Sequence, residues 1–359
     1  MEFNNSKGNL LTSIQRDAPN LWERYTLKEE YATNRVLDEH NRFAFSESDQ
    51  TDVLSPIVSA SLLERGWHPR YPGNKSFAVC LTHDIDAVFA SSMVTFKRFG
   101  SSVKRQNISA AIRHGATLID RRKNNLYQYI YRLLELEQKY GGNSSFYFLS
   151  LKNGERDFNF DVKEVKSLFK AIDKTGSEIG LHGGHDAYNN LAKLKAEKAN
   201  LEDALGKSVI GYRNHYLKFN TPLTWEILEA VGFAYDTTVG YADMYGFRNG
   251  MCHPYYPYNN RKQQFHKIME LPLIYMDVTL SRYLNMTEEE IWKAVRNLIN
   301  TIKAHKGVLT INWHNKDDNQ DLGLYEKILQ YSKNANAWIT SGEQVYHWWK
   351  DHNLAPTIK

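Results

Sequence analysis

Short strand-like and helix-like segments alternate along the chain from residue 77 onward, and this alternation constrains the fold more than any other feature. The strand-like segments are rich in β-branched and aromatic side chains and cover 77–82, 145–150, 178–181, 209–212, 233–236, 268–274, 308–313 and 337–340. Helical patterns cover 126–140, 162–174, 190–205, 223–230, 287–306, 324–332 and 343–350. Repeated β-α-β units require parallel strands with right-handed crossovers, so the sequence predicts an α/β barrel or a doubly wound sheet.

Two segments differ from this alternation. Residues 1–76 have polar helical patches and a turn at Tyr71-Pro72-Gly73-Asn74, and we expect an N-terminal helical arm packed on a barrel formed by residues 77–359. The segment 87–122 is basic and partly helical, and we expect an excursion after the first strand. A charge run of this kind is usually a solvated face, with binding of an anionic partner as the alternative.

Composition narrows the class of protein. The chain has 359 residues, and its 45 basic and 41 acidic side chains are spread along its whole length, giving a formal net charge of +4. Without a concentrated basic face, nucleic acid is not expected as a partner.

The polar N-terminus and the lack of a membrane-spanning apolar run predict a cytoplasmic protein without a transmembrane segment. Cys80 and Cys252 are expected to be reduced thiols.

Ionisable side chains follow several of the predicted strands at their carboxyl ends. They are Asp84 and Asp86, then His182 and His185, then Arg213 and His215, then Asp236, and finally His314. Because the carboxyl ends of parallel strands share one face of the fold, we expect these side chains to meet there. Each one alone also fits an ordinary structural role, such as an Asp in a turn or a packed imidazole.

An Asp-x-Asp with distant histidines suits a divalent metal with mixed nitrogen and oxygen ligands and one position open to water. Such a metal lowers the pKa of its water and polarises a carbonyl group. A second carboxylate can take a proton from that water, and a histidine opposite can protonate the leaving group. The strand ends therefore predict a metal-dependent hydrolase site.

At these residues the chain resembles the polysaccharide deacetylase family, also called the NodB-homology or carbohydrate esterase family 4 group. The resemblance covers roughly residues 75–345 and follows the order of an acidic pair, a Gly-Leu-His turn, an Arg strand, an Asp-Thr segment and a late His strand. It implies a distorted barrel of about seven β/α units, often with an open seam. It also implies removal of an N-acetyl group from an amino sugar, with release of acetate.

Carried over by position, the resemblance implies that Asp84 is the general base and Asp86 a metal ligand. The spacer Ile85 departs from the common pattern and matches an Asp-x-Asp branch that includes deacetylases of lipid-linked sugars. Arg213 matches the arginine that orients the base. His314 matches the general acid, and Asp277 is the candidate for the aspartate that supports it.

The resemblance leaves the third metal ligand open between two histidines. His182 matches the first metal histidine, but the position four residues later, where the family has its second histidine, is Asp186 here. His185 would face the same way as His182 on a helical turn, so we place it slightly ahead of His215, which ends the next strand.

A long loop after the fifth strand is rich in glycine and aromatic residues, and loops of this length often carry function. We expect it to form a substrate wall with Tyr241, Arg248, His253 and Tyr255, and we add Trp313 as a further substrate-binding residue. Arg248 would meet a phosphate or carboxylate. The alternative is a packed surface loop.

The expected cofactor is a divalent metal, with zinc first and nickel, cobalt or iron as alternatives. The expected partner is an N-acetylated sugar or glycan precursor, and a cytoplasmic location favours a nucleotide-linked or lipid-linked sugar. Other metal-dependent C–N hydrolysis, glycosidase chemistry, or an inactive glycan-binding barrel remain alternatives to deacetylation.

Overall fold

The computed structural model describes residues 7–315 and 322–356 of the chain. Its strands are β1 (Phe77–Ile85), β2 (Ser145–Leu149), β3 (Glu178–Gly183), β4 (Gly211–Asn214), β5 (Tyr235–Asp236), β6 (Tyr258–Asn259), β7 (Gln264–Phe265), β8 (Met269–Glu270), β9 (Leu273–Met276), β10 (Val308–Asn312) and β11 (Ala337–Thr340). All eight predicted strands are present. The sixth is split into β8 and β9, and the short antiparallel pair of β6 and β7 was not predicted.

The helices are α1 (Lys7–Asp17), α2 (Pro19–Tyr25), α3 (Ile57–Glu64), α4 (Ser92–Lys104), α5 (Ile108–Ile119), α6 (Asn125–Tyr140), α7 (Lys166–Lys174), α8 (Leu191–Leu205), α9 (Leu223–Val231), α10 (Glu288–Ala304), α11 (Gly323–Asn334) and α12 (Gly342–Asp351). The side chains of Thr287 and Ser341 cap α10 and α12, because each accepts a hydrogen bond from a backbone N–H of the first turn. Within the described ranges, no helix combines the length and the apolar character needed to cross a membrane.

The main sheet is parallel and rolls into a distorted barrel. Its order is β8-β5-β4-β3-β2-β1-β10-β9, and β11 pairs with the first half of β1. Only Leu271 and Pro272 separate β8 from β9, so one stretch of chain pairs with β5 on one side and with β10 on the other. The backbone N–H of Leu273 also donates to the Val239 carbonyl at 3.0 Å. This bent strand joins the two ends of the sheet and gives seven barrel positions.

Side-chain alternation along β1 separates the two cores of the protein. Val79, Leu81 and Ile85 pack in the large outer core between the sheet and its helices. Ala78 and Cys80 pack in a smaller core inside the barrel. Both cysteines are buried free thiols, as predicted. The carboxyl end of β1 therefore delivers its inward-facing side chains to the mouth of the barrel.

The N-terminal segment packs against the long loop that follows β5. Trp22, Tyr25 and Val58 form one buried cluster with Met251 and Tyr255. After β1 the chain leaves the barrel as a hairpin of α4 and α5, which agrees with the predicted excursion.

Candidate active site

The end of β1 places two carboxylates at the barrel mouth. Asp84 lies on the inward-facing side of the strand and is only 3% exposed. Its neighbour His83 points outward, where Nε2 lies 2.7 Å from Oε1 of Glu137. Asp86 follows the strand, and 39% of its side chain is exposed although its Oδ1 atom is buried. One carboxylate is thus held inside the barrel and the other borders the opening.

Side chains of β4 and β10 hold Asp84 in position. Arg213 of β4 is fully buried, and its Nη1 donates to Asp84 Oδ1 at 3.0 Å. Asn312 of β10 donates from Nδ2 to Asp84 Oδ2 at 2.6 Å. Burial favours a higher pKa for Asp84, but the nearby His182, Arg213 and His314 side chains outweigh burial and lower that pKa below the ordinary value. Asp84 is therefore an oriented, ionised carboxylate.

His182 presents one ring nitrogen to Asp86. Its Nδ1 lies 3.0 Å from the carbonyl oxygen of Arg213, a contact in which Nδ1–H donates. A neutral ring then carries its lone pair on Nε2, which lies 3.2 Å from Asp86 Oδ1. This backbone bond fixes the tautomer and the orientation of the ring, as is usual for metal-binding histidines.

His215 completes this group from the turn after β4. Its Nδ1 lies 3.4 Å from Asp86 Oδ1 and 3.0 Å from Nε2 of His182. Its Nε2 faces Asp157 Oδ2 at 3.6 Å. The backbone at Tyr216 has a positive φ of 60°, which turns the chain directly after His215.

These three side chains fit a divalent cation. One carboxylate oxygen and two imidazole nitrogens lie within 4.8 Å of one another. Asp86 Oδ1 is buried and has no hydrogen-bond partner among the described residues. Burial favours a higher pKa for Asp86, but His215 and His182 lower it well below the ordinary value. A donor set of two nitrogens and one oxygen is typical of zinc and similar metals at catalytic sites, where one position stays open.

His314 and Asp277 form a hydrogen-bonded pair beside Asp84. His314 Nδ1 is 2.7 Å from Asp277 Oδ1, and His314 Nε2 is 3.9 Å from Asp84 Oδ2. Burial lowers the pKa of His314, but the charges of Asp277, Asp86 and Asp84 outweigh this and raise it to about 9. His314 is therefore positively charged at neutral pH.

These groups share one cavity of about 1240 Å³ at the barrel mouth, lined among others by Asp84, Asp86, His182, His215 and His314. Trp313 also lines it, and its Nε1 lies 3.1 Å from the Tyr129 hydroxyl. Three arginines contribute to the walls: Arg42 from the N-terminal segment, Arg98 from α4, and Arg282 from the turn after β9. Glu39 and Glu288 line the walls as well, and we call the three arginines the basic rim.

His185 lies outside the group formed by Asp86, His182 and His215, so the geometry favours His215 over His185 as the third ligand. Its Nδ1 lies 2.6 Å from Asp186 Oδ1, and the ammonium group of Lys218 is 3.3 Å from its Nε2. The prediction assumed a helical turn, but β3 runs through Gly183 and the chain then bends. The spacing rule for helices does not apply there, and His185 is not in the group formed by Asp86, His182 and His215.

The four residues predicted from the loop after β5 do not reach the cavity either. Tyr241, Arg248, His253 and Tyr255 are all buried. Arg248 pairs with Glu30 at 2.8 Å, and a nitrogen of His253 lies 2.9 Å from the Ser59 hydroxyl. The loop faces the N-terminal segment instead of forming a substrate wall, because its arginine and rings are used in that packing.

Several residues near the site were not predicted. Asn312 is in register with Thr82 of β1, so its place beside Asp84 follows from strand pairing and not from a motif. Asp157 lies in the loop after β2, and no sequence signal marks it as a neighbour of His215. The arginines of the basic rim come from three distant segments, which local patterns do not connect.

One similar solved structure identifies the fold, and two others match with lower scores. A protein from Mycobacterium smegmatis assigned as a polysaccharide deacetylase matches with a TM-score of 0.57 and 15% identity, over 81% of this chain and 96% of that chain. A family 4 carbohydrate esterase from Streptomyces lividans in complex with acetate matches with a TM-score of 0.38 and 13% identity, over 75% of this chain and 93% of that chain. A CE4 family pseudoenzyme from Bacillus anthracis matches with a TM-score of 0.40 and 12% identity, over 77% of this chain and 66% of that chain.

The fold is therefore that of a polysaccharide deacetylase, a NodB-homology barrel, and the predicted fold class is confirmed. No protein-family model matches the chain. No curated protein is significantly similar to it in sequence.

Proposed function

We propose that the chain is a metal-dependent hydrolase that removes an N-acetyl group from an amino sugar of a polysaccharide or glycan precursor. The observation that carries this proposal is the position of Asp86, His182 and His215 beside Asp84 and His314 in one cavity. A fold likeness at this level of identity does not define an activity, so the proposal depends on the residues of the site.

The donor set would hold a divalent metal, with zinc first and nickel, cobalt or iron as alternatives. When bound, such a metal supplies a Lewis acid for the acyl oxygen and lowers the pKa of water. Asp84 Oδ2 lies 3.8 Å from Nε2 of His182, so the carboxylate borders the donor set. Arg213 and Asn312 hold it there in its ionised form. Asp84 is the general base that takes a proton from the attacking water.

His314 is the general acid in this proposal. Its Nε2 lies 3.9 Å from Asp84 Oδ2, and Asp277 holds the ring in its charged form. Water oxygen adds to the acyl carbon, the C–N bond then breaks, and His314 gives its proton to the departing amine nitrogen. The products are acetate and the free amino sugar, and both proton transfers start or end on side chains of this chain.

The basic rim supports a precursor as the substrate. Arg98 and Arg282 line the same cavity as the catalytic side chains. Guanidinium groups bind phosphate well, and a nucleotide-linked or lipid-linked sugar carries phosphate next to the sugar ring.

Acetate release from N-acetylglucosamine oligomers and from nucleotide-linked N-acetylglucosamine tests the proposal. The protein is treated with a chelator and reloaded with one divalent metal at a time. At least one metal should restore acetate release. Asp84→Asn should lower the rate by about 10²–10⁴-fold, because it removes the base. It should still bind the metal, since the three ligands are unchanged.

The matched control is Asp351→Asn, which changes an exposed aspartate at the end of α12. It should keep the wild-type rate. The proposal is wrong if the metal-loaded protein releases no acetate from any acetylated sugar tested, or if Asp84→Asn turns over as fast as the wild type.

A further inference from the structure

The hairpin of α4 and α5 exposes an unusual amount of apolar surface. Fourteen large apolar side chains are exposed among the described residues, and seven of them belong to this hairpin. These seven are Met93, Val94, Phe96, Val103, Ile108, Ile112 and Ile119, and their exposed fractions range from 39% to 90%. Single exposed apolar residues need no explanation, but a concentration of this kind marks an interaction site.

The hairpin is buried through its small residues instead of its large ones. The buried positions are Thr95 and Ser102 on α4 and Ala110 and Thr117 on α5. The three hydroxyl groups donate to carbonyl oxygens of their own helices. A helix that only covers its own protein has the opposite arrangement, with large apolar side chains inward.

The exposed side chains form a stripe on each helix. On α4, Met93, Phe96 and Val103 are separated by three and seven residues. On α5, Ile108, Ile112 and Ile119 are separated by four and seven residues. Such spacings place side chains on one face of a helix. We call these six side chains the apolar stripes.

The charge of the hairpin is of one sign. Between Ala87 and Ile119 there are five basic residues and no acidic residue. The basic residues are Lys97, Arg98, Lys104, Arg105 and Arg113. A second copy of the chain on this face would bring like charges together, which is unfavourable, whereas an anionic surface would be complementary.

The root of the hairpin is fixed at the mouth of the barrel. The Asn159 side chain accepts from the backbone N–H groups of Val88 and Phe89, at 3.0 and 3.1 Å. Asn315 donates to the Ala87 carbonyl at 2.8 Å. The segment that leads into the hairpin thus starts directly after Asp86, and Arg98 of α4 lines the cavity.

We infer that the α4–α5 hairpin docks on an anionic lipid bilayer. The apolar stripes enter the boundary between headgroups and acyl chains, and the flanking lysines and arginines contact anionic headgroups. The hairpin lies in the plane of the interface, and the cavity opens beside the lipid surface. This inference does not depend on the proposed function, because it concerns a surface outside the reacting groups.

Vesicle co-sedimentation of the full-length protein tests the inference. The wild type should bind vesicles of mixed phosphatidylcholine and phosphatidylglycerol, should bind pure phosphatidylcholine weakly, and should be released by salt. Replacing Met93, Phe96 and Ile112 together by Ser should weaken binding on the order of tenfold or more. The charge-reversing triple variant Lys97→Glu, Lys104→Glu and Arg113→Glu should weaken it similarly.

A triple variant with Val36, Leu54 and Leu191 replaced by Ser is the matched control, since it removes three exposed apolar side chains outside the hairpin. It should bind vesicles as the wild type does. Far-ultraviolet circular dichroism should show that all variants are folded. The inference is overturned if the wild type does not bind anionic vesicles, or if the folded stripe variant binds as well as the control. It is also overturned if the wild type is a dimer without lipid that the stripe variant converts to a monomer.

Discussion

Asp277 controls the charge state of His314 through a direct contact. Burial alone would lower the pKa of His314, and the nearby carboxylates, Asp277 first among them, raise it to about 9. If His314 is the general acid, activity requires its protonated form and is lost as the pH rises through this pKa. Asp277→Asn removes the stabilising charge, so the alkaline limb of the pH–rate profile should move to lower pH.

The profile of kcat/KM against pH for wild type and Asp277→Asn measures this shift. A loss of rate at all pH values with an unchanged alkaline limb would show that Asp277 only orients the ring. Asp173→Asn, which changes an exposed aspartate on α7, is the control and should leave the profile unchanged.

Single residues were predictable from the sequence where strand ends determine their position. Asp84, Asp86, His182 and His314 follow strands whose ends share one face, and the structure places them in one cavity. His185 was misplaced because a helical spacing was applied to a turn after a strand. Asn312 was missed because its role comes from its register with β1, which no local pattern encodes.

At the scale of elements, the capping box of α10 makes a direct prediction. The side chain of Glu290 accepts from the Thr287 backbone N–H at 2.8 Å, and Thr287 Oγ1 accepts from the Glu290 N–H. Thr287→Ala leaves the Glu290 N–H without its acceptor Thr287 Oγ1 and should lower the free energy of unfolding by about 1 kcal/mol. Urea denaturation measures it, with the exposed Lys293→Ala on the same helix as control. Equal stability of the two variants would contradict the role of the cap.

The elements themselves were predicted well where periodicity and caps agree. The predicted helix 126–140 differs from α6 by one residue, and the predicted strand 145–150 differs from β2 by one residue. The pair of β6 and β7 was missed because its residues lie in an irregular aromatic loop. The split of the sixth strand was also missed, since the bend at Leu271 and Pro272 is set by pairing with two different neighbours.

At the scale of the whole molecule, a buried carboxyl group links stability to pH. Glu178 lies at the start of β3, and its Oε2 accepts from the Tyr235 hydroxyl at 2.6 Å and from the Glu343 N–H at 2.8 Å. Burial, with the charge of Glu343, raises its pKa from 4.5 to about 7. The folded protein binds a proton on Glu178 more tightly than the unfolded chain does. The resulting stabilisation is complete below pH 4.5 and is lost as the pH rises through about 7.

Glu178→Gln keeps an uncharged acceptor at this position and should remove that loss. Wild type and variant, both stripped of metal, are unfolded in urea from about pH 5 to about pH 8. The variant should gain stability relative to the wild type as the pH rises, by an amount on the order of 3 kcal/mol. A constant difference across this range would show that Glu178 does not change its protonation state there.

Parallel β-α-β units could be predicted because alternation of strands and helices is a local property repeated along the chain, whereas the choice of a barrel over a doubly wound sheet came from the family resemblance. The contact between the N-terminal segment and the loop after β5 could not be predicted. It depends on a buried pair of Glu30 and Arg248, which are far apart in sequence and have no shared pattern. The aromatic loop therefore suggested substrate binding, although its side chains are used for packing.

The central claim is that Asp86, His182 and His215 form the metal site, and metal analysis of four single variants tests it most directly. Asp86→Ala, His182→Ala and His215→Ala should each lose bound divalent metal and acetate release, while His185→Ala should keep both. Metal retained in His215→Ala and lost in His185→Ala would contradict the account, because it would restore the ligand order that the sequence suggested.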